Sequence, residues 1–476
     1  MIPVLLIAIP LAAGLLSFFL RAGNSSRTLV TLSALASLAL ALWALSAPQA
    51  QLQHHAAWLP SLGSSFDVQM DGMAKMLVLL TAIAFPVVYV STAKNNYASP
   101  NQFFALMSLT QAGLVGVFVA ADGLLFYFFW ELALIPVYFL CSQWGGERRI
   151  AVTFKFFIYT FVGSLLMLVA LLYLYFQTPD HSFAIQSFYK LKLSAAQQGW
   201  TFWLIFIAFA IKMPVFPFHT WQPDTYEQSP TAVTMILSGV MVKMGIYAVI
   251  RWLVPIFPAA VAQYDQIIII AAVIGMLYAS LIAIRQDDIK RLIAYSSIAH
   301  IGLMCAAIFT KNQAGMEGVM IQMFNHGVNV LGLWIVADVI EQQLGTRKFS
   351  ELGGLAKKAP VMAILLVVMA LANVALPLTN AFIGEFLMFN GLFRYNVIIA
   401  AVAGISIILA AVYTLNMVQK VLYGASNERT DAATDISANA QWMLVVLVIM
   451  IIAFGVYPQP MIELTKDSVQ AVLAIK

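Results

Sequence analysis

Charged residues are scarce in this chain. Only 10% of its 476 residues are Asp, Glu, Lys or Arg, whereas 62% are hydrophobic. A soluble protein of this length carries about 25% charged residues, so the composition excludes that class. The apolar runs are close to the roughly 20 residues that a transmembrane helix needs and exceed the about 9–11 residues of a barrel strand. The sequence therefore predicts an all-α polytopic membrane protein.

Cysteine and nucleotide-binding motifs are also lacking. The two cysteines, Cys141 and Cys305, cannot supply the four ligands of an iron–sulfur cluster or a structural zinc site. No GxGxxG follows a strand, no P-loop is present, and a net charge of +4 does not indicate a nucleic-acid partner. We therefore expect no metal and no cofactor-binding residues in this chain. No basic region precedes residues 2–20, which predicts a retained first helix rather than a signal peptide.

The apolar runs predict about fourteen transmembrane helices. They lie at residues 2–20, 28–47, 73–93, 102–120, 123–143, 154–176, 200–226, 229–254, 266–284, 292–310, 318–340, 360–393, 396–419 and 440–458. The runs 200–226 and 360–393 are longer than one span and contain prolines, which predicts two helices broken at membrane depth. Paired breaks are typical of inverted-repeat transporters, with the functional site near the breaks. After Tyr457 we expect a short tail and no further amphipathic helix.

Basic residues are unevenly distributed between alternate loops. One side carries Arg21, Arg27, Lys94, Arg148, Arg149, Arg285, Lys290, Arg291, Arg347, Lys348, Lys357, Lys358, Lys420 and Arg429. The other side carries Lys190, Lys192, Arg251, Lys311, Arg394, Lys466 and Lys476. Since loops rich in Lys and Arg stay in the cytoplasm, we predict that the first side is cytoplasmic and that both termini are periplasmic.

One carboxylate, Glu131, lies near the middle of the apolar stretch from Asp122 to Leu140. An ionised side chain there costs about 2.5–3.5 kcal/mol on insertion scales, which predicts a compensating partner. Lys212 lies beside the first predicted break, and Lys243 lies near the middle of the next run. Together these groups favour a proton or ion path. The structural alternatives are a packing pair for Glu131 and snorkelling of the lysines to an interface.

Three more ionisable groups accompany the second break. Glu385 follows it, and His300 and His326 lie in the two runs before it. Histidine titrates near neutral pH and relays protons through either ring nitrogen, which favours a proton relay. The alternatives are a helix–helix hydrogen bond for each histidine and a turn cap for Glu385. Two histidines without a third ligand do not favour a metal site.

The motifs that contain these residues resemble one membrane-protein family. They read FFWELALIPVYFL, AFAIKMPVFPFHTWQPD, SGVMVKMGIYAVIRW, DDIKRLIAYSSIAHIG and FIGEF. In order and spacing they resemble the antiporter-like proton-channel subunits of respiratory complex I. The resemblance implies helices 1–3 over residues 1–100 and a first five-helix repeat, helices 4–8, over 101–258. It also implies an inverted second repeat, helices 9–13, over 259–424 and a C-terminal helix 14 over 425–476.

The resemblance also implies roles for individual residues. Glu131 and Lys212 match the glutamate of helix five and the lysine of helix seven, and Lys243 matches the connecting lysine of helix eight. The family's central histidines and its output carboxylate match His300, His326 and Glu385. Sister chains and sodium–proton antiporter chains usually have lysine at the last position, so Glu385 favours the M-type chain, as does the missing long lateral helix.

One stretch departs from the family pattern. After the first break the family commonly reads HxWLPDAH, whereas this chain reads HTWQPDTY. His219 is retained, but Tyr226 replaces the second histidine, so the relay role of that histidine does not carry over.

The resemblance implies a non-redox, proton-translocating subunit of NADH–quinone oxidoreductase in a bacterial inner membrane. NADH, FMN, iron–sulfur clusters and quinone are then expected in partner subunits. The expected partners are other membrane-arm subunits, especially two sister antiporter-like chains, and the lipid bilayer. A subunit of a multisubunit sodium–proton antiporter is the first alternative, and a membrane scaffold whose lysines only pack is the second.

Overall fold

The computed structural model describes residues 1–20 and 24–475, without the side chain of Asn24. Two basic residues of the orientation argument, Arg21 and Lys476, lie outside the described residues. The helices before the first break are α1 Ile2–Phe19, α2 Asn24–Ser46, α3 Gly72–Ser91, α4 Pro100–Val119, α5 Gly123–Trp144, α6 Arg149–Gln177, α7 Ile185–Tyr189 and α8 Ala195–Lys212.

The helices after that break begin with a short one. They are α9 Gln222–Gln228, α10 Thr231–Leu253, α11 Pro258–Ile284, α12 Ile289–Phe309, α13 Gln313–Leu344, α14 Leu355–Lys358, α15 Pro360–Asn373, α16 Asn380–Tyr395, α17 Val397–Leu422, α18 Glu428–Asp431, α19 Ala438–Val456 and α20 Gln459–Ala474. In the described part of the chain, 12 helices are long and apolar enough to cross a membrane. This confirms an all-α polytopic membrane protein. The count of fourteen stays a prediction, since it is reached only if the two interrupted helices are counted as spans as well.

Both proline-containing runs are interrupted helices. α8 ends at Lys212, and helical structure resumes only at Gln222. α15 ends at Asn373 and α16 begins at Asn380, on either side of Pro377. A proline inside a helix removes a backbone donor and clashes with the preceding turn, which explains why each helix stops there. The breaks bring polar backbone and side chains to the interior of the bundle.

The last helix of the predicted first repeat, α10, is buried over its most apolar window. Two of its turns, Leu237–Met241 and Val249–Leu253, are π-helical. A π turn is wider than an α turn and disturbs the regular i→i−4 hydrogen bonding, and such turns are frequent at functional sites. α13, the 32-residue helix that packs against α10, is also buried over its most apolar window.

A β-hairpin occupies the long connection between α2 and α3, to which the scan for apolar runs assigned no structure. Strands β1 Gln53–Leu59 and β2 Ser64–Gln69 pair in antiparallel register, with Gln53 opposite Gln69. Gly63 forms the turn with a φ of 64°. A Cβ at this position would lie 2.0 Å from the backbone oxygen of His181. Only glycine therefore fits the turn.

The expectation of a short C-terminal tail is wrong. After α19 the chain forms α20, a 16-residue amphipathic helix. Its buried residues, Met461, Thr465, Val469 and Val472, follow helical spacing and pack against α3 and α13. The Ser468 hydroxyl also accepts a hydrogen bond of 3.1 Å from the Gly72 backbone N–H. Three charged residues in 463–467 obscured this helix in a scan for apolar runs, although the spacing itself was readable.

Candidate functional site

Lys243 and His326 meet in the centre of the bundle. Lys243 on α10 is completely buried, and its Nζ lies 2.8 Å from Nδ1 of His326 on α13. The same Nζ donates to the backbone oxygen of Ser238 at 2.6 Å. Ser238 lies inside the first π turn, where regular backbone hydrogen bonding is disturbed and a carbonyl is free to accept from a side chain. The π turn thus supplies an acceptor for a buried ammonium group.

The contacts continue from His326 to Glu385. The rings of His326 and His300 have centroids 5.6 Å apart. Nδ1 of His300 lies 3.0 Å from Oε1 of Glu385 on α16. All four residues, from Lys243 to Glu385, are at most 8% exposed. The structure therefore brings four predicted site residues into one row of ionisable groups that runs from α10 to the second broken helix.

Glu131 and Lys212 lie outside this row. Lys212 is the last residue of α8, is 1% exposed, and has no hydrogen-bond partner for its Nζ among the described residues. Its Nζ lies 5.4 Å from the ring centroid of Trp130, the neighbour of Glu131. No ion pair within 4.0 Å joins Glu131 to Lys212 in the described part of the chain. The two residues are neighbours, as predicted, but they are not in direct contact.

Polar side chains that the sequence analysis did not single out surround the row. Gln322, one turn before His326, donates to Glu385 at 3.4 Å. A cavity of about 20 Å³, which is room for about one water molecule, lies between His300, Glu385 and Tyr413. The Tyr413 hydroxyl is 3.0 Å from the Ser296 hydroxyl. An amide inside the apolar run IQMFNH was the readable signal for Gln322.

The departure from the family pattern is buried near the first break. His219 is 3% exposed and its ring lies 5.4 Å from that of Tyr278. Gln222 and Tyr226 are both fully buried, and the ring of Tyr226 packs edge-on against Trp334 at 5.9 Å. The side chain of Tyr226 thus fills interior space. A phenol, unlike an imidazole, does not titrate near neutral pH.

Charged residues at the basic face form an ion-pair network. Arg347 contacts Asp288 at 2.5 Å, Glu227 at 3.1 Å and Glu341 at 3.1 Å. Arg291 joins Glu227, on α9, at 2.7 Å. Burial alone would lower the pKa of Arg347, but the carboxylates of Asp288 and Glu341 outweigh it and raise that pKa above its usual value. The network ties the short helix α9 to α12 and to the end of α13.

Comparison with known proteins identifies the family of the chain. Residues 120–410, which contain the whole row, match the family described as NADH:quinone oxidoreductase/Mrp antiporter, TM. The chain belongs to this antiporter-like family. It is 36% identical to NADH-quinone oxidoreductase subunit M of Rickettsia prowazekii (strain Madrid E), over 87% of this chain and 85% of that one. The resemblance inferred from the motifs is confirmed.

Solved structures share the fold of this antiporter-like chain. A chain of respiratory complex I from Thermus thermophilus with bound NADH superposes with a TM-score of 0.91 and 28% identity, covering 100% of both chains. A chain of the Mrp complex from Dietzia sp. DQ12-45-1b superposes with a TM-score of 0.86 and 21% identity, covering 99% of both. The second likeness is one of fold alone.

Proposed function

We propose that this antiporter-like chain is a proton-translocating membrane-arm subunit of NADH–quinone oxidoreductase and carries no redox group. The similarity to subunit M of that enzyme supports this assignment. The observation that carries the proposal is the buried row Lys243–His326–His300–Glu385, whose end contacts are 2.8 and 3.0 Å long. A membrane scaffold has no need for four ionisable side chains in a row at membrane depth, because each costs free energy there.

In the proposed mechanism protons enter from the cytoplasmic side, load Lys212, pass Lys243 and the two histidines, and leave toward the periplasm by Glu385. Each transfer moves one proton between a nitrogen or oxygen and its neighbour. Glu131 acts on Lys212 as a nearby carboxylate that favours the charged lysine. When the two move apart, the buried ammonium loses that stabilisation and releases its proton. The energy comes from redox chemistry in other subunits.

The proposal extends to the surroundings of the chain. NADH, FMN, iron–sulfur clusters and quinone belong to partner subunits, and the sister antiporter-like chains are the neighbours in the membrane arm. The positive-inside rule supports both termini on the periplasmic side of a bacterial inner membrane. The repeats over 101–258 and 259–424, each with one interrupted helix, supply the two halves of the path.

The first test is purification of the tagged chain from membranes in mild detergent. We expect NADH–quinone reductase activity and bound iron in the purified complex. A complex without either, which restores salt tolerance to a sodium-sensitive strain, would instead make the chain a sodium–proton antiporter subunit.

The second test is Glu385→Gln in the complex reconstituted into vesicles. The variant keeps the size of the side chain but cannot carry a proton, so we expect reductase activity with much less proton pumping per electron. Glu317→Gln is the matched control, because Glu317 lies on α13 and bonds Gln313 at 2.7 Å, away from the row. Wild-type pumping by Glu385→Gln would refute the pathway.

A further inference from the structure

A polar cavity of about 390 Å³ opens at the face that carries most of the basic residues. Its walls come from the α3–α4 connection, the α9–α10 junction and the adjacent ends of α12 and α13. Tyr97, Thr231, Lys290, Asp338 and Glu341 line it. Both helices of the Lys243–His326 contact, α10 and α13, therefore reach this cavity.

Asp338 is a buried carboxylate on the cavity wall. It is 5% exposed and accepts two hydrogen bonds from Nδ2 of Asn95, at 3.0 and 3.3 Å. Thr231 on α10, Lys290 on α12 and Glu341 on α13 also face it. No Lys or Arg lies within 4.0 Å of it in the described part of the chain, because Nζ of Lys290 pairs with Glu341 at 2.5 Å.

A buried carboxylate without a cation costs free energy that a merely structural residue would avoid. Its neighbour Tyr97 lies outside the spanning helices, and the hydroxyl of Tyr97 is a neutral hydrogen-bonding group of the cavity. Burial, with a contribution from the charge of Asp338, raises the pKa of Tyr97 to about 12. The hydroxyl of Tyr97 therefore stays protonated at physiological pH and does not compete with Asp338 as a base.

A series of hydroxyl groups leads from Asp338 into the membrane. Thr231, Thr234 and Ser238 follow one another along α10, and Lys243 comes next. The Ser238 hydroxyl donates to the Thr234 backbone oxygen at 2.9 Å, and Lys243 donates to the Ser238 backbone oxygen at 2.6 Å. From Thr231 to Lys243 there are twelve residues, about 18 Å of helix. The hydroxyl groups of Thr234 and Ser238 donate their own protons to backbone oxygens, and their lone pairs remain able to accept hydrogen bonds from water.

The other side of this series is lined by α13. Trp334, four residues before Asp338, is fully buried and its Nε1 has no hydrogen-bond partner among the described residues. Its ring contacts that of Tyr226, whose backbone oxygen accepts from Thr234 at 3.3 Å. Buried donors without a protein partner are typical of places that hold ordered water.

We propose that Asp338 is a proton-entry residue, which takes protons from the polar cavity and passes them to Lys243, without using Lys212, through water held along the hydroxyl groups of α10. The inference rests on the proposed function and adds a second entrance to it. In each step Asp338 binds one proton from water and releases one toward Thr231, and no electron is transferred.

The test is Asp338→Asn in the reconstituted complex, with pumping per electron measured as the pH on the cytoplasmic side rises from about 6 to about 8. An entry carboxylate matters most where protons are scarce. We therefore expect pumping near that of the wild type at about pH 6 and a loss approaching tenfold at about pH 8. This is less than the about 10²–10⁴-fold that one positioned acid–base group contributes, because the entrance through Lys212 remains open. Asp338→Glu should restore the profile.

Asp435→Asn is the matched control, because Asp435 is a carboxylate of the same face that caps α15 through Val361 and Met362. An equal loss at every pH, or no loss at all, would overturn the proposal, since the first indicates a structural role and the second no role. Glu385→Gln is measured in parallel. If Glu385→Gln pumps normally, the proposed function itself fails. If Glu385→Gln is defective but Asp338→Asn pumps normally, only the proposal of a second entrance fails.

Discussion

Replacing Lys243 with methionine separates proton transfer from folding. The change removes an Nζ that contacts His326 at 2.8 Å and the Ser238 oxygen at 2.6 Å. Leaving those two groups without a partner costs about 1–3 kcal/mol each, but the variant no longer buries an ammonium group, which costs several kcal/mol. The two effects offset each other. We therefore expect the amount of assembled complex to change little.

Proton transfer should respond very differently. A positioned acid–base group contributes about 10²–10⁴-fold to its step, which corresponds to about 3–5 kcal/mol of activation free energy. Lys243→Met should thus stop pumping through this chain while reductase activity persists. The assay is acidification of vesicles during NADH oxidation, and the exposed Lys192→Met serves as the control.

A double variant tests whether Lys243 and His326 act as one unit. His326→Ala should cause a similar loss, and Lys243→Met/His326→Ala should be no slower than the worse single variant, because both remove the same transfer. Losses that multiply would show that the two residues serve separate paths. Wild-type pumping by Lys243→Met would refute the reasoning altogether.

Two further predictions concern stability. Arg347→Ala leaves the carboxylates of Asp288, Glu227 and Glu341 without a shared cation. Since the site is partly exposed, we expect the free energy of unfolding to fall by about 2–3 kcal/mol, which lowers the thermal inactivation temperature of the complex. An unchanged temperature would mean that the network adds no stability. Val469→Asp places a charge on the buried face of α20 and should lower the yield of assembled complex, whereas Lys466→Asp on the exposed face should not; equal yields would show that α20 is dispensable for assembly.

Sequence alone predicted the membrane class, both interrupted helices and the residues of the row. These features depend on strong local signals: apolar length, proline, and an ionisable residue inside an apolar run. His300 and Glu385, far apart in sequence, were placed near the same break and do lie 3.0 Å apart. The direct partner of Lys243 could not be read, because the register between α10 and α13 depends on packing between helices.

Two features were not predicted from the sequence, the hairpin in 48–72 and the buried Asp338, because both depend on contacts with distant parts of the chain. The hairpin in 48–72 is stabilised by contacts outside itself, such as the N-terminal ammonium bonding the Gln51 backbone oxygen at 2.9 Å. Asp338 was not recognised because it lies near the end of a long helix, where a carboxylate usually faces solvent. Its hydrogen-bond partner, Asn95, is 243 positions away in the chain.

The π turn at Leu237–Met241 has a consequence for insertions and deletions in α10. A π turn holds one residue more than the α turn that it replaces, so removing one residue there converts it to a regular turn and leaves the faces of the flanking segments aligned. Deletion of Gly239 would keep Lys243 directed at α13 but remove the irregularity that exposes the Ser238 oxygen. A variant with one residue fewer at this point would therefore retain the position of the lysine and lose its backbone acceptor.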